Sequence, residues 1–281
     1  MSGTRLLVVN ADDFGLAPGV NRGILEAHAA GTLSSTSVMV NTPAFDEGLA
    51  LAHERAPSLG LGLHLNLVAG RPLTRAPSLT DARTGSFYPL GTLARRALAG
   101  AVRADDVRNE CDAQLAALER RGVNPTHLDS HRHAHALPGV LPTVLASARA
   151  AGIPVVRRPL DRPSLAQPLA SMKILALHAA WRRAVAGVAR ADREPLARSP
   201  RFRGILLQDT PDVQERMLAL FDHLEPGATE LMIHPGHDDA TLGAQDPYRA
   251  PRERELAALV SPEVRARLAV GDIRLVTFAE L

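Results

Sequence analysis

One cysteine, Cys111, stands in a chain of 281 residues, which excludes an internal disulfide framework and a cysteine-rich zinc site. Aromatic residues make up 3% of the chain. With so few rings to stack on bases and no nucleic-acid motif, no nucleic-acid partner is expected. No apolar run reaches the roughly 18 residues of a transmembrane segment. The opening Met1-Ser2-Gly3-Thr4-Arg5 lacks the basic, apolar, small-residue order of a signal peptide, so a cytoplasmic location is expected. Lysine is nearly absent as well: Lys173 is the only one.

Apolar residues make up 46% and charged residues 22%, a globular balance with material for a core. The net charge is only +2 but is unevenly placed. Between Arg157 and Arg203 there are eleven basic residues (ten Arg and Lys173) against Asp161, Asp192 and Glu194. This segment reads as a basic, Ala/Arg-rich helical insertion. Its local charge could also attract an anionic partner or a membrane surface.

Arg5 to Asn10 is a short apolar run ended by Asp12-Asp13-Phe14-Gly15, a buried strand followed by a turn. Pro18 opens a helix that Gly31 closes. Ser35 to Val40 and Leu59 to Leu67 read as the next strands, with a helix over 43–56 between them. Residues 68–90 are rich in Gly and Pro without a clear period, a long loop of the kind that serves as a lid or substrate-binding segment. Asp105 to Arg121 is a helix with Val107, Cys111, Leu115 and Leu118 on one face. Further strands are expected at 126–135, 153–156, 204–207, 230–234 and 273–276, separated by helices. Seven or eight parallel strands alternating with helices, without a linker, predict one domain over 1–281: a single distorted (β/α) TIM-like barrel, its active site at the C-terminal strand ends.

The functional signal lies in the histidines. Of eleven, His28, His53, His178 and His223 fall on helices. The other seven cluster at three strand ends: His64, then His127 with His131, His133 and His135, then His234 and His237. Their two-residue spacing predicts that His131, His133 and His135 point to one face of an extended strand, with Arg132 directed away. Two imidazoles and one carboxylate with open positions suit a catalytic divalent metal, which polarises a carbonyl and lowers the pKa of water. The Asp12-Asp13 pair can supply a ligand and a general base if the strand kinks there. Asp129 is placed to orient a metal-bound histidine through its other ring nitrogen. His234, before Pro235-Gly236, is the candidate acid. Asn66, His133 and His135 are further candidates to contact substrate or support the ligands.

Asn10-Ala11-Asp12-Asp13-Phe14-Gly15, Gly62-Leu63-His64-Leu65-Asn66, Thr126-His127-Leu128-Asp129-Ser130-His131 with His133 and His135, and Met232-Ile233-His234-Pro235-Gly236 occur in this order. Together they resemble the YdjC-like carbohydrate deacetylases, which include chitooligosaccharide deacetylases and a branch associated with hopanoid biosynthesis. The resemblance implies removal of an N-acetyl group from an amino sugar, with magnesium or zinc as the metal. It also implies Asp13, His64 and His131 as metal ligands, Asp12 as base and His234 as acid. Members often carry histidine where Arg132 stands here.

The residues alone admit other readings. One is a different barrel hydrolase, a phosphoesterase or amidohydrolase; Lys173 lies in the wrong region to serve as a modified-lysine ligand. Another is a non-catalytic sugar- or lipid-binding protein that keeps a structural metal. A His-His-Asp set also accepts Mn, Co or Ni. A small-molecule substrate, one divalent ion and a possible homodimer complete the expectation.

Overall fold

The computed structural model describes residues 3–281. Met1 and Ser2, part of the leader-free start expected from the sequence, lie outside the described residues. The strands are β1 (Arg5–Phe14), β2 (Ser35–Val38), β3 (Gly60–Leu65), β4 (Leu128–Ser130), β5 (Arg201–Arg203), β6 (Gly227–Ile233) and β7 (Ile273–Leu275). The first helices are α1 (Pro18–Ala29), α2 (Phe45–Arg55), α3 (Leu90–Leu98), α4 (Ala104–Glu119), α5 (Leu141–Ala150) and α6 (Pro168–Ala186). After them come α7 (Glu194–Ala197), α8 (Val213–Asp222), α9 (Ala240–Gln245), α10 (Ala250–Val260) and α11 (Pro262–Ala269).

All pairings between these strands are parallel, in the order β4-β3-β2-β1-β6-β5. β7 pairs with the start of β1, at Arg5–Leu7, below the stretch where β1 meets β2. Because helices cover the outer face, β1 is apolar on that side and its Leu7, Val9 and Ala11 join the main core. The opposite alternation carries Val8, Asn10 and Asp12 onto the concave face. Val8 packs there with Val155, Val276 and Phe278, a small apolar floor under the polar site.

The sheet curls into a half-barrel and does not close. Among the described residues no ladder joins β4 to β5, so the expected TIM-like barrel stays open on one side. The strand expected at 153–156 is reduced to a single bridge between Leu128 and Val156. Pro154 has no N–H to donate, and the chain then turns inward at Arg157. The strand expected at 204–207 lies instead at 201–203, because Gly204 at φ +139° ends it and a 3-10 turn follows.

The histidine-rich run departs further from expectation. β4 stops at Ser130, and His131–Ala136 winds into a 3-10 turn with Arg132 and His133 in the left-handed region, at φ +55° and +57°. Simple alternation therefore fails, and Arg132 lines the cavity instead of pointing away. The 68–90 loop holds a Thr80–Phe87 bridge and is followed directly by α3, which its sequence had not signalled.

Candidate active site

A cavity of about 540 Å³ opens at the C-terminal ends of the strands. Alternation along β1, β3 and β6 brings Asp12, His64 and His234 to it. Asp13 should by the same rule face the helices. It does not, because the register with β2 slips between Ala11 and Phe14 and Asp13 takes φ +72°. A backbone distortion thus turns two adjacent carboxylates into one cavity.

Asp13, His64 and His131 form a compact donor set whose ligand atoms lie within 4.8 Å of one another. Asp13 Oδ1 is 2.8 Å from His131 Nδ1 and 3.2 Å from His64 Nε2. Its other oxygen accepts from Arg252 at 2.6 Å. His64 Nδ1 meets Asp129 Oδ1 at 2.7 Å, which leaves Nε2 as the ring atom turned to Asp13. That carboxylate–histidine pairing is the arrangement a metal-ligating imidazole needs. Burial would push His64 down, but Asp129 and Asp12 raise it to about 10. Burial would raise Asp13, yet His131 and Arg252 hold it well below the usual carboxylate range, as a ligand oxygen requires. The donor set fits a divalent cation. Asp12, His64 and Asp129 form a second tight group, but Arg157 already occupies both of its carboxylates, which disfavours it.

Arg157 is fully buried. Its two terminal nitrogens donate to Asp12 at 2.7 Å each, one of them also lies 2.6 Å from Asp129, and Nε donates to Glu230 at 2.6 Å. Asn10 Nδ2 donates to Asp12 Oδ1 at 3.0 Å. Asp12 is thereby fixed with its edge toward the cavity. Burial raises Glu230 to about 7 against the opposing pull of Arg157. Across the cavity His234 Nε2 stands 4.0 Å from Asp12 Oδ2. Glu255 accepts the His234 backbone N–H at 2.5 Å and lies 3.8 Å from Nδ1, and Tyr248 Oη donates to the same carboxylate.

The remaining expected residues divide. His133 lines the cavity; burial and the Arg157 cation keep it neutral, and its Nδ1 has no partner among the described residues. His135 turns away, accepting from Ser130 Oγ at 2.6 Å and donating to the Arg157 carbonyl at 3.0 Å, so it braces the segment that delivers Arg157. Asn66 also lies off the cavity wall. Its amide is consumed by Asn41, Val68 and Ala69 in the turn after β3. His127 stacks on Phe278 at 3.9 Å below the site, and His237 pairs with Glu26 at the surface. Sequence reasoning missed Arg157, Glu230, Arg252 and Glu255. Arg157 had one available signal, its place directly after the apolar pair Val155-Val156. Arg252 and Glu255 sit on α10, with nothing local to distinguish them from surface charges.

Comparison with known proteins places the chain in a family. The pattern of the YdjC-like protein family matches residues 6–270. A carbohydrate deacetylase of Geobacillus stearothermophilus is 36% identical over 279 residues, covering 98% of each chain. A chitooligosaccharide deacetylase of Serratia marcescens is 36% identical over 279 residues and 99% of each chain. A structure from Enterococcus faecalis V583, named for cellobiose-phosphate cleavage, is similar at TM-score 0.78 and 28% identity, over 99% of this chain and 98% of that one.

Proposed function

The chain belongs to the YdjC-like protein family, and we propose that it is a metal-dependent carbohydrate deacetylase, one domain over 1–281 acting in the cytoplasm. Its substrate in this reading is an N-acetylated amino sugar, as a chitooligosaccharide or a sugar carried on a glycolipid. The observation that carries the reading is one cavity in which the Asp13-His64-His131 set adjoins an arginine-held carboxylate and a histidine.

Asp13, His64 and His131 would hold the cation, with magnesium or zinc favoured and manganese, cobalt or nickel compatible with the donors. Such an ion polarises an acyl oxygen and lowers the pKa of water beside it. Asp12 accepts the proton of the attacking water, and Arg157 keeps the accepting oxygens aimed at it. His234 donates a proton to the departing amine nitrogen as the amide C–N bond breaks, giving acetate and a free amino sugar. The 4.0 Å between His234 Nε2 and Asp12 Oδ2 supports this pairing of base and acid. Glu255 holds the His234 backbone and faces its other ring nitrogen. His133, neutral and without a partner at Nδ1 among the described residues, is left to contact the sugar.

The test is acetate release from diacetylchitobiose, N-acetylglucosamine and an N-acetylglucosaminyl lipid, after chelation and after adding back single metals. Metal-dependent acetate from any of them supports the reading. No acetate from any, with one ion still bound per chain, would move the assignment to another amide or ester. Asp12→Asn should keep the ion and lose about 10²–10⁴-fold in rate, whereas Asp13→Ala, His64→Ala and His131→Ala should lose the ion itself. Near-normal activity in a metal-loaded Asp12→Asn protein would refute the assignment of the base.

A further inference from the structure

The basic segment 157–203 is only partly absorbed by the site. Arg157 belongs to it, but α6 does not. The inner face of α6 buries Ser171, Ile174, Trp181 and Ala184. Its outer face carries Leu169, Met172, Leu175, Ala176 and Ala179, spaced at three and four residues like a face that ought to be covered. Leu169 is 82% exposed, Met172 66% and Leu175 55%, and Leu165 just before the helix is fully exposed. Seven large apolar side chains are exposed among the described residues, and four of them lie in these eleven positions. Scattered surface leucines need no explanation, but a contiguous stripe does.

Charge decides what covers it. α6 contains Lys173, Arg182 and Arg183 and no acidic residue. Arg182 and Arg183 lie on the outer side, exposed, and neither forms an ion pair among the described residues. A second copy docking through this face would oppose cation to cation with no carboxylate on either helix. An anionic lipid surface supplies both missing partners, acyl chains for the stripe and headgroup phosphates for the arginines. The helix spans 19 residues and is not apolar enough to cross a bilayer. The remaining mode is to lie in the interfacial plane.

We propose that α6 is an interfacial helix that docks the protein on anionic membranes through Leu169, Met172 and Leu175, with Arg182 and Arg183 at the headgroups. Lys173 on the same helix lines the cavity, so docking brings the cavity rim to the lipid surface.

The test is co-sedimentation of the full chain with vesicles of phosphatidylcholine alone and of phosphatidylcholine mixed with phosphatidylglycerol, at low and high salt. Binding should require the anionic lipid and weaken with salt. Leu169→Ser with Met172→Ser, and separately Arg182→Gln with Arg183→Gln, should each lower partition about tenfold. The buried emission of Trp181, the only tryptophan, should stay unchanged and report that the helix remains packed. Equal binding to both vesicle types, or binding to neither, overturns the proposal. So does a dimer in sedimentation that Leu169→Ser dissociates, which would give the face to a second copy.

Discussion

Removing a guanidinium from water with Asp12, Asp129 and Glu230 is costly, and the three carboxylates repay it only while all the contacts are made. Deleting one partner therefore costs more than the pair contributes. Arg157→Gln should destabilise the fold by about 3–5 kcal/mol in urea unfolding, because it leaves buried carboxylates unpaired. Arg157→Lys should recover part of that stability but little activity, since an ammonium cannot grip Asp12 with two parallel bonds. Near-normal rates in Arg157→Lys would remove orientation of Asp12 from the account. Glu230 is the surplus charge of the group, and burial lifts it from 4.5 to about 7. Its folded value is raised, so the stability it contributes is full below pH 4.5 and is lost as pH rises through 7. Metal-free Glu230→Gln, which keeps an acceptor for Arg157 Nε, should show a flatter stability profile across that window. The difference from wild type above it should be on the order of 3 kcal/mol. Parallel profiles for the two proteins would place the charge elsewhere.

At the scale of elements, the site depends on how closely α1 approaches the loop after β6. A Cβ on Gly23 would stand 2.7 Å from the Gly236 Cα, so one helix residue sets the position of the His234-Pro235-Gly236 turn. Gly23→Ala is expected to lower acetate release by at least about tenfold through displacement of His234. It should do so with the metal content of wild type, which metal analysis beside the rate assay would check. The elements themselves were largely legible: Pro18 at the first position of α1, the apolar run of β1, and Val107, Cys111, Leu115 and Leu118 on one face of α4 all declare local structure. The candidate ligands were legible as residue types for the same reason, each following an apolar run. The conformation that joins them was not. Neither Asp13 nor Arg132 carries a glycine-like signature for its positive φ, because tertiary contacts impose both. Arg252 and Glu255 reach the site from α10, and a long-range ion pair leaves no periodicity to read.

For the whole molecule, a cation held as proposed by Asp13 on β1, His64 on β3 and His131 after β4 would tie together strands drawn from nearly half the chain. Anything that binds only the folded state stabilises it by mass action, about 2.7 kcal/mol at a hundred times Kd. Chelation should accordingly lower the melting temperature by several degrees, and adding the matching ion should restore it. An unchanged melting curve would mean that no ion bridges these strands. The sheet topology also bears on synthesis. β1 is made long before its β6 and β7 partners, which begin at Gly227 and Ile273, and the Arg252 that holds Asp13 lies 239 residues downstream. Pairings so distant in sequence form slowly and leave an apolar edge waiting for its neighbour. A nascent chain therefore carries the first half of its candidate site, unfinished and in need of shelter, until β6 and Arg252 have been made.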